Sequence, residues 1–226
     1  MLALFEKMFD HRSFTGRSGT FFGYEGLGCI FWHMVSKLRL AAQESFFRAG
    51  GAHAARLAKS YHDIRAGIGD CKTPEEFGAF PMDPYSHTPA HTGARQPGLT
   101  GQVKEDILCR FGELGVNVRE GQVHFDPTLL RAEEFLQTAG VFEYCDLAGR
   151  VRQIPLRVGS LAFTYCQVPV VYSLASESSL TVTFSDGKTR RQENLQLDEP
   201  LSRAIFERRG TIRSIVCGLR SGRSAT

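Results

Sequence analysis

The hydrophobic period of the chain changes near residue 120, and that change points to separate helical and sheet parts. Before it, apolar residues recur at helical spacing. Gly28–Arg48 has no proline and no internal glycine, and predicts a long helix with Ile30, Met34, Leu38 and Ala41 as its apolar stripe, widened by Phe31 and Val35. Ala52–Ala66 predicts a second helix, ended by Gly67 and Gly69. Thr73-Pro74-Glu75-Glu76 carries an N-cap signature limited to one turn by Gly78 and Pro81, and Gly101–Leu114 predicts a further helix.

After residue 120 a short strand is expected at Gln122–Phe125, then a helix over 127–139 capped by Asp126-Pro127 and stopped by Gly140. Strands are expected at Val141–Cys145, Val151–Leu156, Leu161–Val168, Val170–Leu174, Leu180–Phe184, Arg191–Leu197 and Thr211–Leu219. Ser185-Asp186-Gly187-Lys188 reads as a hairpin turn, since Asp-Gly tolerates positive φ. Pro169 marks an edge or a bulge, because it cannot donate to a ladder. The expected class is α+β: a helical region over 1–120, a linking segment and helix over 121–140, an antiparallel β-sandwich-like domain over 141–220, and a loose tail over 221–226.

A chain of 226 residues with 42% apolar and 23% charged residues is globular in composition. A net charge of +3 makes no case for nucleic acid. The basic end, with Arg208, Arg209, Arg213, Arg220 and Arg223, reads as a solvated edge and tail. No apolar run reaches the roughly 18 residues of a membrane helix. The acidic residues near the start do not fit a signal peptide, and the cysteines, with no C-x-x-C pair, read as reduced thiols. A cytoplasmic location is the expectation, with no membrane partner.

The chemistry-bearing residues gather in DPYSHTPAHTGARQPGLTGQVKEDIL, from Asp83 to Leu108. Pro84, Pro89 and Pro97 restrict a loop rich in imidazole, amide and hydroxyl groups. His87 and His91 are four apart, but Pro89 between them argues against a helical metal pair, and no H-E-x-x-H motif is present. They read as hydrogen-bond donors in a pocket, or as structural loop contacts. A Ser-His-Asp reading of Asp83, Ser86 and His87 lacks a nucleophile elbow. Glu25 lies in a glycine-rich turn, Gly23–Gly28, which is not a nucleotide fingerprint; it is either a helix cap or a carboxylate aimed into a cleft. Trp32 and His33 either line a pocket or belong to the core. Glycoside cleavage needs two facing carboxylates, and Glu25, Asp83 and Glu105 are the candidates, with Glu105 also readable as a surface acid paired by Lys104.

The segments GYEGLGCIFWHMVSKLRLAAQE, TPEEFGAFPMDPYSHTPAHTGARQPGLTGQVKEDIL and GSLAFTYCQVPVVY resemble the end of large bacterial (α/α)6-toroid proteins. The passage Gly121-Gln122-Val123-His124-Phe125-Asp126-Pro127 resembles the exit from the last toroid helix of glycoside phosphorylases and related hydrolases into a C-terminal β domain. The resemblance implies an incomplete toroid-like helical part and a carbohydrate-active enzyme, a glycoside hydrolase or phosphorylase. Glu25, Asp83 and Glu105 would be its acids, and Tyr24, Trp32, His33, His87, His91, Gln96, Gln102 and Lys104 would contact sugar. No metal or other cofactor is implied. The second reading is a non-catalytic carbohydrate-binding or scaffold module; a hydrolase with a metal on His87 and His91 is a third. The first requires acids and aromatics on one concave face, the second aromatics without paired acids. The helices counted here are too few for a toroid, so further helices are the expected partner, and apolar surface left by their absence would drive self-association.

Overall fold

The computed structural model of the protein describes residues 2–9, 27–68 and 103–220. The chain divides into two compact units, Met1–Arg110 and Phe111–Thr226. The expected turn at Thr73–Glu76, the glycine-rich turn before Leu27 and most of the Asp83–Leu108 loop lie outside the described residues.

The described residues of the first unit are helical apart from the Ala49-Gly50 link. The unit holds α1 (Leu2–Phe9), α2 (Leu27–Arg48) and α3 (Gly51–Ile68), and α4 (Val103–Glu113) begins in it. Ala49 and Gly50 join α2 to α3 as a helical hairpin, and the Ala49 N–H closes the end of α2 on the carbonyls of Ser45 and Phe46. The buried face of α2 is not the expected apolar stripe. Ser36, Arg39, Gln43 and Phe46 are buried, while Met34 and Leu38 are 64% and 57% exposed. Polar partners decide this orientation. Arg39 donates to the Tyr61 hydroxyl of α3 at 3.2 Å and meets Asp106 of α4 at 3.4 Å, and Gln43 donates to the Cys109 carbonyl at 2.7 Å. The Arg39 guanidinium also lies 5.2 Å from the centre of the Tyr61 ring, within cation–π range.

The second unit is built on strands. The hairpin of β1 (Val116–Arg119) and β2 (Gln122–Phe125) turns at Glu120 and Gly121, both at positive φ. A second hairpin pairs β3 (Gly140–Cys145) with β4 (Val151–Leu156). The main sheet contains β5 (Ser160–Tyr165), β6 (Val168–Ala175), β7 (Ser179–Phe184), β8 (Thr189–Gln192) and β9 (Ile212–Arg220), in the order β5-β6-β9-β7-β8. Helix α5 (Glu199–Phe206) lies between β8 and β9 in the chain. It covers one face of the sheet, where Leu201 and Ile205 join Val170, Tyr172, Leu180, Val182, Ile215 and Cys217 in the core. The first hairpin contributes Val116, Val123 and Phe125 to the same core. Ser202 of α5 fastens them together: its hydroxyl accepts the Val123 N–H at 3.0 Å.

The α+β class stands, and several of its expected details do not. The sheet is mixed, because β9 runs parallel to β6 and antiparallel to β7. Pro169 therefore lies in an internal strand. It is tolerated because it sits at the strand's beginning, opposite Thr164 of β5 and one residue before Val170 opens the pairing with β9. The helix expected over 127–139 is absent. Its place is taken by turns and one 3-10 turn, Ala132–Glu134. Leu129, Leu130 and Phe135 are buried, and Leu136 exchanges backbone hydrogen bonds with Gly159 and Ser160, so tertiary pairing overrides helical spacing. The strand expected at Arg191–Leu197 stops at Gln192, after which Leu195 and Leu197 bond to β2. Helix α5, not foreseen, carries a clear start signal: Asp198 caps it by accepting the Leu201 N–H, and Pro200 stands in its first turn.

Gly115 is the tightest backbone position of this unit. It has φ +69°, and a β-carbon there would lie 2.0 Å from the carbonyl carbon of Asp126. Gly149, at φ +73° in the β3–β4 turn, has open space around it. Gly115→Ala should therefore cost at least about 3 kcal/mol and Gly149→Ala about 1 kcal/mol in urea unfolding. Equal losses would contradict this account of the β1 entry.

Candidate functional site

Strand alternation gives the main sheet two faces. With Val170, Tyr172, Val182, Ile215 and Cys217 turned to the core, Val171, Thr183, Ser214 and Val216 are left on the other face. The β3–β4 hairpin stands beside that face. Between them is an open cleft of about 1170 Å³. The hairpin contributes Tyr144, Asp146, Arg150, Arg152 and Gln153 to it, and the sheet contributes Pro169, Val171, Thr183, Ser214 and Val216.

Two irregularities of the backbone fall on the rim of this cleft. At the β5–β6 turn, Cys166 and Gln167 have φ of 48° and 66°, without glycine at either position. Such a turn matches the twist of a hairpin, but it strains residues that carry side chains. Where β7 meets β9, the register jumps from Thr183↔Ser214 to Phe184↔Ile212, so Arg213 is the extra residue of a β-bulge. A bulge re-aims the side chain it carries. Gln167 and Arg213 both line the cleft.

The electrostatics centre on Asp146. Its carboxylate accepts the backbone N–H groups of Arg150 at 3.0 Å and Ala148 at 2.9 Å, and the Arg152 Nε at 2.9 Å. The Arg150 Nε is 3.4 Å away. The Arg150 N–H and then the Arg152 side chain hold the Asp146 pKa down at about 2. This acid is ionised and fully engaged, and it cannot act as a proton donor near neutral pH. Tyr144 stacks on Phe142 with centroids 5.8 Å apart and an interplanar angle of 11°. Among the described residues, Arg213 has no ion pair.

Most of the residues singled out from the sequence cannot be placed in a site. Tyr24, Glu25, Asp83, His87, His91, Gln96 and Gln102 lie outside the described residues. Trp32 and His33 belong to α2, but their side chains lie outside the described set. Lys104 and Glu105 open α4, with the ammonium 3.8 Å from Glu105 Oε1. Lys104 is exposed, whereas Glu105 is only 2% exposed, so it is not the surface acid that was the alternative for it. Sequence reading did not find the β-unit cleft. In the sequence Arg213 stands among the arginines of a basic end, and nothing local marks Tyr144 or Asp146 as neighbours of β9. Among the described residues, no three His, Cys, Asp or Glu side chains gather as a metal ion would require.

Asp146 also sets a pH dependence. Its folded pKa lies below the ordinary 3.8, so its contribution to the hairpin is present above that value and is lost as pH falls toward 2. A carboxyl-carbon NMR titration should give a midpoint near 2 for Asp146, and Arg152→Ala should raise it. A midpoint at the ordinary value would show that the turn does not hold the carboxylate.

Compared with known protein families and with proteins of curated function, the chain matches none.

Proposed function

We propose that the protein is carbohydrate-active and that its second unit binds saccharide without cleaving it. The observation that carries this reading is the cleft, which combines one aromatic platform with hydrogen-bonding side chains and one carboxylate. Tyr144 offers a ring face of the kind that packs on the apolar face of a sugar, and Gln167, Thr183, Ser185 and Ser214 offer partners for hydroxyl groups. Glycoside cleavage uses two carboxyl groups facing each other across the bond. Asp146 is the single acid in the lining, and it is already held by two arginines and two N–H groups. An aromatic ring without paired acids favours a binding module here over a catalytic cleft.

The exposed Met34, Leu38 and Phe47 of α2 support a second element of the proposal. A helix that buries Arg39 and Gln43 and exposes several apolar side chains suits a place among further helices, as in a toroid. In such an assembly the catalytic role would fall to the helical region, where Glu25, Asp83 and Glu105 are the candidate acids.

Isothermal titration of the full chain with a panel of neutral and acidic oligosaccharides tests the binding role. At least one should bind, and Tyr144→Ala should weaken it about tenfold, the loss of roughly 1.4 kcal/mol of stacking, with an unchanged circular dichroism spectrum. Binding by none of them, or a Tyr144→Ala variant of undiminished affinity, would contradict the proposal.

A further inference from the structure

We infer that the cleft selects acidic saccharides, those bearing carboxylate or sulfate groups, over neutral ones; this rests on the carbohydrate reading of the same cleft. The lining sets three guanidinium groups, those of Arg150, Arg152 and Arg213, against the one carboxylate of Asp146. A concave surface lined by one sign of charge raises the local concentration of ligands of the other sign.

The arginines are not spent within the fold. Asp146 meets Arg150 and Arg152 through Nε, and among the described residues no hydrogen bond engages their terminal nitrogens. The hydrogen bond from Arg152 Nε to Asp146 fixes where its remaining donors can reach. Arg213 has neither ion pair nor hydrogen bond among the described residues, and it sits on a bulge that interrupts the β7–β9 ladder. A planar guanidinium presents paired N–H donors that match a carboxylate or a sulfate. Arg213 is exposed, so its charge remains hydrated until a ligand arrives. Tyr144 stands in the same lining, and a saccharide acid therefore suits it better than a small inorganic anion would.

The test is isothermal titration of the full chain with paired probes. These are oligogalacturonate and oligoalginate, each beside its carboxyl-reduced counterpart, and a carrageenan oligosaccharide beside its desulfated counterpart. At least one acidic probe should bind ten times or more tighter than its neutral partner. Arg213→Gln should lower that affinity about tenfold and leave the neutral partner's unchanged. Arg119→Gln, which removes the same charge from β1 outside the cleft, should alter neither. Equal affinity within every pair, or an Arg213→Gln variant that binds the acidic probe normally, would overturn the inference while leaving the saccharide reading intact. Binding of no probe in either form would overturn both. A polyglutamate peptide or an oligothymidylate bound as tightly as the best saccharide would show attraction to charge alone, and would also overturn it.

Discussion

The second unit depends on the Tyr172 side chain and the hydrogen bond it makes to the end of α4. Tyr172 lies in β6, is wholly buried, and donates its hydroxyl to the Leu114 carbonyl at 2.5 Å. The last carbonyls of a helix have no partner within it, and a buried one needs a donor from elsewhere. Burial pushes the Tyr172 pKa well above its ordinary value, which keeps the phenol protonated as that donor. Its ring meets Phe125 of β2 edge-on at 6.3 Å and Phe163 of β5 at 5.2 Å. One side chain thus joins the end of α4, the first hairpin and the main sheet. It also fixes the facing of β6. A slip of one residue would turn Tyr172 outward and send Val171 into the core.

That facing decides which side of the main sheet is covered and which borders the cleft. Helix α5 and the first hairpin occupy the Tyr172 side of the sheet, and the cleft occupies the Val171 side. Strand β9 enters the sheet between β6 and β7, so its outward residues reach the middle of that face rather than an edge. The bulge at Arg213 and the glycine-free turn at Cys166-Gln167 both break the regularity of the sheet, and both border the cleft. In the helical unit a comparable departure occurs on α2, where Arg39 and Gln43 are buried against Tyr61, Asp106 and Cys109 while apolar side chains face outward.

Most strands were legible in the sequence because their alternation is local. Val151–Leu156 forms as expected, and the Asp186-Gly187 turn closes β7 on β8. The position of β9 was not legible, since parallel pairing with β6 depends on contacts far apart in the chain. The helix expected after Asp126-Pro127 and the helix that does follow Asp198 share a cap-and-proline start. What separates them is whether the following backbone finds partners elsewhere: Leu136 finds Ser160, while the Asp198 carboxylate holds the Leu201 N–H in place. The α2 stripe misled because hydropathy alone does not show that Arg39 meets partners on α3 and α4. Of the candidate site, Arg213 was visible only as one of several basic residues. Its setting depends on a bulge and on a hairpin some sixty residues away in sequence, neither of which spacing reveals.

The proposed saccharide site is the outward face of the main sheet, rather than its core face or the Asp83–Leu108 segment. Amide NMR mapping of the full chain during titration with a bound oligosaccharide measures this directly. The largest shifts should fall on Tyr144, Thr183, Ser214 and Val216, with much smaller ones at Leu180, Val182, Ile215 and Cys217. Shifts confined to residues 83–108, with the β3–β4 hairpin and β9 unmoved, would contradict it.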